Sequence, residues 1–363
     1  MSRPVYRVGI VGAGAAARQH LRALGQIKSL QVVSIRDLHE EVAARLAAEF
    51  GLPMEVVAQP SGFYKRRPQS VHIVTPPTSH EELAAEALQH DCHVLVEKPP
   101  ALTLAGCERL LTEAAARRLS ISVNENTAHE PLLVRARAII AAGRLGRVLQ
   151  IDGHYCYGLG ESEHPAPWMD ALPGGMLEDL LPHLLTTARA LAGCPLVPEH
   201  WRLVKTGAIG EQQNDELRLL LAGHDLTVNL TLSLAARPKA FAVVVRGTRA
   251  TLVADLRNML LYVSRLPPSG GAVAVGGELV RFGSSVLWQT ASNAVAIIAG
   301  HREPHGSFLP LIRSYYAALQ SGMELPAPLA RAAETTAIIE RIWPRARATE
   351  RPRYPKPEQS VHP

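Results

Sequence analysis

The sequence predicts an α/β protein in which a parallel sheet precedes a second, mostly antiparallel sheet. Short apolar runs alternate with helical patterns up to Val123, the first run ends in a glycine-rich turn, and later runs alternate with period two. At 363 residues the chain is too long for one ordinary domain. We therefore expect domains at residues 1–123 and 124–345, followed by a basic, proline-rich tail at 346–363.

The first domain has the pattern of βαβ units. Strands are predicted in YRVGIVG, LQVVSIRD, VHIVTPP, CHVLVEK and LSISVN, with helices at residues 15–24, 40–50, 81–90 and 104–118. Such alternation is typical of a parallel sheet with helices on both faces. The sequence therefore predicts a Rossmann domain, whose ligands bind at the carboxyl ends of the strands.

The second domain is predicted to be α+β, with a large open sheet. Helices are expected at residues 131–142 and 177–191, a strand after GRLG, and two closing helices at 308–321 and 329–342. Six further strands are predicted in HWRLVKTG, DELRLLLAG, DLTVNLTLSL, AFAVVVRGT, ATLVAD and MLLYVSR, and a hairpin loop in LPPSGGAVAVGGE. Helices on one face only would leave an apolar face exposed, so we expect a homodimer or homotetramer through the open sheet.

Composition narrows the classes of partner. The net charge is +5, but six basic and two acidic residues from Arg341 onward account for +4, which indicates a surface tail rather than a nucleic-acid site. Four cysteines without ligand spacing predict neither a metal site nor disulfides. No apolar run reaches about 18 residues and MSRPVYRVGI lacks a secretory h-region, so we expect a cytoplasmic protein without a membrane partner.

The first strand ends in the glycine pattern VGIVGAGAAARQH. Gly12 is expected to make the tight turn, Gly14 to let the backbone approach a pyrophosphate, and the small Ala17 to let helix pack on strand. Ala16 is predicted to belong to the same cofactor site. Because the pattern follows the first strand of a βαβ series, it indicates a bound dinucleotide on a helix N-terminus.

The end of the second strand bears on the choice of cofactor. Asp37 is positioned to accept hydrogen bonds from the adenosine ribose, which favours NAD because a 2′-phosphate would meet its negative charge. Arg36, immediately before it, could hold that phosphate instead. The sequence therefore predicts NAD as the preferred cofactor and leaves NADP open.

Five motifs together resemble those of the Gfo/Idh/MocA oxidoreductases, from Val5 to about Ile342. These motifs are GAGAAARQH, TPPTSHEELAAEAL, HVLVEKPPALT, NENTAHEPLLVRARAIIAAGRLGRV and GGMLEDLLPHLL. The resemblance implies a Rossmann domain joined to an α/β domain whose open sheet contacts another subunit. It also implies an enzyme that oxidises or reduces carbinol carbons, most often on sugars and cyclitols.

The same resemblance assigns residues to the cofactor site. It implies that Thr75, Pro76 and His80 line the dinucleotide, and that Glu97 belongs to the EKP motif beside the nicotinamide. Asn126 matches an asparagine near the nicotinamide or the substrate. Ala128 stands where many relatives carry an arginine, so the usual substrate contacts of this loop do not carry over.

The catalytic assignment rests on Lys98, Asp179 and His183. In the resemblance, Lys98 completes the EKP motif, while Asp179 and His183 form a second motif. Asp179 and His183 are four residues apart, so a helix would place them on one face. Pro182 suggests that this helix begins late, which would put His183 near a helix N-terminus whose dipole favours a neutral ring.

Oxidation of an alcohol requires a base to accept the hydroxyl proton as a hydride leaves carbon. We predict His183 as the acid/base, Lys98 as the cation that stabilises the alkoxide, and Asp179 as the group that orients the substrate or balances charge; Lys98 and His183 could exchange roles. A cis peptide bond is predicted between Lys98 and Pro99. The alternatives are a reductase of an imine, enone or dihydrodiol, and a non-catalytic dinucleotide sensor.

Overall fold

The computed structural model describes residues 5–159, 166–207, 214–265, 271–300 and 307–344. It confirms an α/β fold built on two sheets, one of six strands and one of seven. The predicted basic tail at 346–363 lies outside the described residues. Within the described ranges, no helix combines the length and apolar character needed to cross a bilayer.

The first sheet is parallel and has the order β3-β2-β1-β4-β5-β6. Its strands are β1 (Tyr6–Val11), β2 (Leu30–Arg36), β3 (Glu55–Val57), β4 (Ser70–Ile73), β5 (His93–Val96) and β6 (Ile121–Val123). Its helices are α1 (Ala15–Gly25), α2 (Glu40–Phe50), α3 (Pro60–Lys65), α4 (His80–Gln89) and α5 (Leu104–Arg117). The sequence patterns predicted every member except β3 and α3, which are too short to show a period.

The second sheet has the order β13-β12-β11-β7-β10-β9-β8, with only the β7 and β10 pair parallel. Its strands are β7 (Val148–Cys156), β8 (Val197–Val204), β9 (Glu216–Ala222), β10 (Thr227–Ser233), β11 (Ala240–Gly247), β12 (Thr251–Asp255) and β13 (Leu260–Ser264). Helices α6 (Pro131–Ala141) and α7 (Gly175–Ala192) supply apolar side chains to the core on one face. This is the predicted, mostly antiparallel sheet.

The uncovered face of this sheet differs from the expectation of an apolar surface. At its centre, Asp152 forms an ion pair with Arg246 and accepts hydrogen bonds from Gln150 and Asn229. His154, on the same face of β7, is exposed. The centre of the open face is therefore polar, because the alternate residues of its strands carry charged and amide groups.

The region after β13 also departs from the prediction. The predicted hairpin loop begins outside the described residues, but from Ala272 the chain forms one long helix, α8 (Ala272–Ile298). Gly276, Gly277 and several valines lower the helix propensity of this segment, which is why the sequence suggested a loop. Side-chain contacts with β13, described below, stabilise the helix despite this low propensity.

The two closing helices, α9 (Phe308–Ser321) and α10 (Leu329–Ile342), return to the first sheet. Leu311, Tyr315 and Tyr316 of α9 pack into the core beside α1, and Leu329 of α10 packs into the core beside α5. The backbone N–H of Val123 also donates to the carbonyl of Ala327. The parallel sheet is thus completed by the last part of the described chain.

Candidate active site

The glycine-rich turn between β1 and α1 is tight on one side and open on the other. Gly12 has φ +104°, and a Cβ there would come within 2.8 Å of the Val74 carbonyl oxygen. The same Cβ would lie 3.0 Å from the Thr75 methyl group. A Cβ on Gly14 would meet none of the described atoms within 4 Å. The turn therefore packs against the loop after β4 and leaves space above Gly14.

The first turn of α1 is suited to an anion. Its N-cap is Gly14, which supplies no side-chain hydrogen bond within the described structure, and no acidic residue lies in the first turn. Gly14 and Ala15 are exposed, while Ala16 is half-buried and Ala17 is fully buried in the core. The N–H groups at this helix end and its dipole can therefore receive a phosphate, with Ala17 acting as the packing residue.

Asp37 and Arg36 lie in different environments. The Asp37 carboxylate accepts the N–H of Ala13 at 2.7 Å and the N–H of His39 at 2.9 Å, which ties it to the glycine-rich turn. Arg36 is 7% exposed, and its guanidinium donates to Glu86 at 2.6 Å. To hold a ribose phosphate, Arg36 would have to leave this ion pair with Glu86 on α4, and its role in cofactor binding stays a prediction.

The loop after β4 contains three predicted cofactor residues. Thr75 is half-buried against Gly12, and Pro76 is exposed. His80 is fully buried, with Nδ1 2.7 Å from the Pro99 carbonyl and Nε2 2.7 Å from the Thr75 carbonyl. Burial lowers the pKa of His80. Both ring nitrogens thus lie within hydrogen-bond distance of main-chain carbonyls, and a neutral ring donates to one of the two, so His80 links the loops of Thr75 and Pro99; its place beside the dinucleotide stays a prediction.

Glu97 directly follows β5 and lies at one end of a buried series of hydrogen-bonded side chains. Its Oε1 atom lies 3.0 Å from His20 Nε2 and accepts Asn124 Nδ2 at 2.5 Å. His20 Nδ1 lies 2.8 Å from His72 Nδ1, and His72 Nε2 lies 2.8 Å from the hydroxyl of Tyr316. We name these four groups, Glu97, His20, His72 and Tyr316, the buried relay.

The buried relay joins the active-site edge of the first sheet to α9. The side chains of His20 and His72 are fully buried, and Tyr316 is 2% exposed. Burial, and then the neighbouring His20, lower the pKa of His72 well below its ordinary value. With His72 neutral, each of the three contacts along the relay can have one donor and one acceptor. His20 donates to the Glu97 carboxylate, and His72 can donate from one ring nitrogen and accept at the other.

Glu97 is held as a carboxylate despite its environment. Burial acts to raise its pKa, but the hydrogen bond and charge of His20, the Asn124 amide and the Lys98 cation act in the opposite direction, and its pKa falls to about 2. The main-chain N–H of Lys98 donates to its second oxygen at 3.3 Å. Glu97 is therefore a fixed anion directly before Lys98.

Lys98, which follows β5 of the first sheet, contacts Asp179 on α7. Its Nζ lies 2.5 Å from Asp179 Oδ1 and 2.8 Å from the Asp179 carbonyl, and the two side chains are 15% and 13% exposed. The Lys98–Pro99 peptide bond is cis, as predicted. Lys98 thus stands at the carboxyl end of β5 with its ammonium bound to α7.

Helix α7 begins earlier than predicted. It starts at Gly175, so Pro182 lies in its interior and His183 lies more than two turns from its N-terminus. The proposed dipole effect on His183 is therefore wrong. The helical spacing does put Asp179 and His183 on one face, and His183 Nδ1 lies 2.8 Å from the hydroxyl of Thr127. Pro182 is buried in the interior of the helix.

Asn126 has a different neighbour from the one expected. It lies in the 3₁₀ turn Asn126–His129, and its amide donates to the hydroxyl of Ser307, which is fully buried, at 3.0 Å. Asn124, two residues earlier, is the asparagine that contacts Glu97. Sequence reasoning did not identify Asn124 or the two relay histidines. A histidine within the apolar run VHIV was the available signal for His72, since an ionisable group in a buried strand needs a partner.

These features define a two-sheet α/β protein in which a glycine-rich turn and a group of Lys98, Asp179 and His183 lie at the carboxyl edge of a parallel sheet, the arrangement of a dinucleotide-dependent oxidoreductase. The model of the GFO_IDH_MocA oxidoreductase family with an NAD-binding Rossmann fold matches residues 6–125, and the model of its C-terminal domain matches residues 133–253. The chain belongs to the Gfo/Idh/MocA family.

Individual relatives are more distant. An inositol 2-dehydrogenase of Pseudomonas fluorescens is 29% identical over 40% of this chain and 44% of its own length. A glycosyl hydrolase family 109 protein of Phocaeicola vulgatus is 27% identical over 43% of this chain and 40% of its own length. The match thus spans less than half of these curated relatives. A levoglucosan dehydrogenase solved with NADH and L-sorbose has the same fold, with TM-score 0.75, 18% identity and coverage of 94% of this chain and 96% of its own.

Proposed function

We propose that this protein is an NAD-dependent oxidoreductase that transfers a hydride between the nicotinamide and a carbinol carbon of a sugar, cyclitol or related polyol. The Lys98–Asp179 contact at the carboxyl end of β5, with His183 one turn further along α7, carries the proposal. When bound, the nicotinamide supplies the hydride acceptor, and the chain's own residues manage the proton and the charge.

Lys98 is placed to stabilise developing negative charge. A lysine ammonium has three N–H donors, and two of the Lys98 contacts, both on Asp179, fix its direction. The third donor can bind the oxygen of a substrate hydroxyl and stabilise the alkoxide as the hydride leaves. Asp179 serves as the positioning residue, because its carboxylate and carbonyl both hold the ammonium.

His183 is the acid/base of the proposal. Its Nδ1 atom is within hydrogen-bond distance of Thr127, so the tautomer that donates from Nδ1 puts the basic lone pair on Nε2. Its place one turn from Asp179 brings it to the side of α7 that faces Lys98. His183 then accepts the proton that Lys98 helps to release.

The choice of NAD over NADP rests on Asp37 and Arg36. A 2′-phosphate would lie against the Asp37 carboxylate, which is fixed to the glycine-rich turn. Arg36 would have to leave its contact with Glu86 to compensate that charge. The polyol class rests on relatives, since one is named for inositol and a structural neighbour for levoglucosan.

The test is a substrate panel followed by nicotinamide absorbance. Inositols, free sugars, anhydrosugars and glycosides are each incubated with NAD or NADP; glycosides are included because one relative is named a glycosyl hydrolase. We expect reduction of NAD with at least one polyol. Lys98→Ala should lower kcat by about 10²–10³-fold with unchanged NAD affinity, whereas Lys28→Ala, an exposed lysine on the loop before β2, should change neither.

Three results would contradict the proposal. Turnover of an imine, enone or dihydrodiol without any polyol activity would favour the reductase alternative. Tight NAD binding with no turnover across the panel would favour a dinucleotide sensor. Full activity of Lys98→Ala would remove the assigned site even if a polyol proved to be the substrate.

A further inference from the structure

Helix α8 presents its polar side to the protein and its apolar side to solvent. Its two buried residues are Gln289 and Asn293, whereas Val273, Leu287 and Ile298 are 91%, 73% and 86% exposed. A surface helix normally has the reverse arrangement, with an apolar stripe on the core. The inversion therefore needs an explanation.

The inner side of α8 is fixed to the outer edge of the second sheet. The Gln289 side chain accepts the Leu261 N–H and donates to the Leu261 carbonyl, both at 3.0 Å, as a neighbouring strand would. Asn293 donates to the Met259 carbonyl at 2.8 Å, and Glu278 accepts the Arg265 N–H at 3.0 Å. These bonds cover the free edge of β13 and set the rotation of α8 about its axis, so its apolar side cannot turn inward.

The outer side of α8 carries a heptad pattern. Eight exposed residues recur at alternating spacings of four and three: Val273, Gly277, Val280, Ser284, Leu287, Ala291, Ala294 and Ile298. We name this row the α8 seam. Such spacing places one row of side chains along a helix in the way that paired helices require. Trp288 and Val295 flank the row and are 72% and 66% exposed.

The charge and the apolar area of the outer side of α8 limit the kinds of partner that can bind there. The only ionisable residues of α8 are Glu278 and Arg281, which pair with each other, so a nucleic acid or a charged peptide has nothing to bind. At about 100 Å² for each exposed large apolar side chain, the seam and its flank present on the order of 500 Å² of apolar surface. That size marks an interaction site on a monomer and approaches the roughly 800 Å² per partner of a standard interface.

We propose that α8 is a self-association helix, and that its seam packs antiparallel against the α8 seam of a second copy of this chain. A twofold axis near residues 285 and 286 would place Val280 opposite Ala291 of the partner subunit and Leu287 opposite Ser284 of the partner subunit. At these central positions a large side chain meets a small one, which lets the helices approach closely, and at the two ends Val273 packs against Ile298 of the partner subunit. The proposal adds α8 as a contact between subunits and does not depend on the catalytic assignment, and the expected contact through the open sheet stays a prediction.

A lipid surface is the weaker candidate for the same apolar side. Helices that lie in a membrane interface carry a polar face rich in lysine and arginine, which contacts water and anionic headgroups. On α8 the polar face instead bonds to β13, and the seam includes Gly277 and Ser284. Small residues within the seam let a second helix approach closely, whereas lipid chains gain nothing from them.

The first test compares the masses of full-length variants by sedimentation velocity across a concentration series. The wild-type chain should be at least a dimer. Leu287→Glu should raise the dimer Kd by at least about 100-fold, because two unpaired carboxylates would be buried together at the axis. Ser292→Glu, at an exposed position of α8 off the seam, is the matched control and should leave the mass unchanged.

The second test reads the direction of pairing. Val273→Cys mixed with Ile298→Cys should give a disulfide-linked dimer on mild oxidation, whereas Val273→Cys alone should not, since the two seam ends lie about 37 Å apart along a helix. A wild-type chain that stays monomeric, an unchanged mass for Leu287→Glu, or a cross-link in Val273→Cys alone would each overturn the proposal. Binding of the monomer to phosphatidylcholine vesicles, lost in Leu287→Glu, would assign the surface to lipid instead.

Discussion

We predict that the buried carboxylate of Glu97 makes the free energy of unfolding depend on pH. Its folded pKa of about 2 lies below the ordinary value of 4.5, so its ionised form stabilises the fold. That contribution is complete above about pH 4.5 and is lost as the pH falls towards 2. A shift of this size corresponds to about 3 kcal/mol of unfolding free energy at neutral pH.

The perturbation is Glu97→Gln, which keeps the shape of the side chain and removes its charge. We expect the free energy of unfolding at pH 7 to fall by about 3 kcal/mol, because the amide resembles the protonated acid and no longer attracts His20 and Lys98. Between about pH 4.5 and 2 the variant should lose less stability than the wild type, since the titrating group is gone.

Urea unfolding at a series of pH values measures both effects. Glu324→Gln is the matched control, because Glu324 is 78% exposed in a loose contact with Arg331, and it should shift the unfolding free energy by well under 1 kcal/mol. Equal stability of Glu97→Gln and Glu324→Gln at pH 7, or identical acid limbs for Glu97→Gln and the wild type, would refute the electrostatic account of the buried relay.

Three further predictions concern the cofactor and the chemistry. Gly12→Ala should abolish NAD binding measured by calorimetry, since its Cβ would lie 2.8 Å from the Val74 carbonyl at positive φ, whereas Gly143→Ala, a positive-φ glycine with open space around it, should not. Asp37→Asn should weaken NAD at least about tenfold while improving NADP relative to NAD in the same titrations, and an unchanged ratio would contradict the ribose assignment. His183→Ala should lower kcat by about 10²–10⁴-fold without changing NAD affinity, and an unaltered kcat would exclude it as the acid/base.

The sequence predicted the fold class because its signals are periodic. Alternating residues and glycine turns identified most of the strands, and the bounds of α2, α9 and α10 agree with the predicted ranges. It failed at α8, where glycine and valine lower the helix propensity and side-chain contacts with β13 and Met259 stabilise the helix. Those contacts join residues about 28 positions apart in different elements, which no local pattern encodes.

Some features of the candidate site could be predicted from local sequence, and others could not. Gly12 and Asp37 could be predicted from local motifs. In the structure Gly12 lies in the glycine-rich turn, and Asp37 is hydrogen-bonded to it. The environments of Arg36 and His80 could not be predicted, because each depends on a distant partner, Glu86 for the first and the Pro99 carbonyl for the second. The domain bounds and the catalytic roles of Lys98, Asp179 and His183 remain predictions.

The return of α9 and α10 to the parallel sheet has a consequence for synthesis of the protein on the ribosome. The core of the first sheet includes Leu311, Tyr315 and Leu329, which are translated roughly 190–200 residues after β6 ends. A nascent chain that has just emerged through Val123 therefore exposes the apolar surface that these helices later cover. The segment that binds the dinucleotide must wait for nearly the whole second sheet before it can close, so chaperone protection is expected to be needed longest for the part made first.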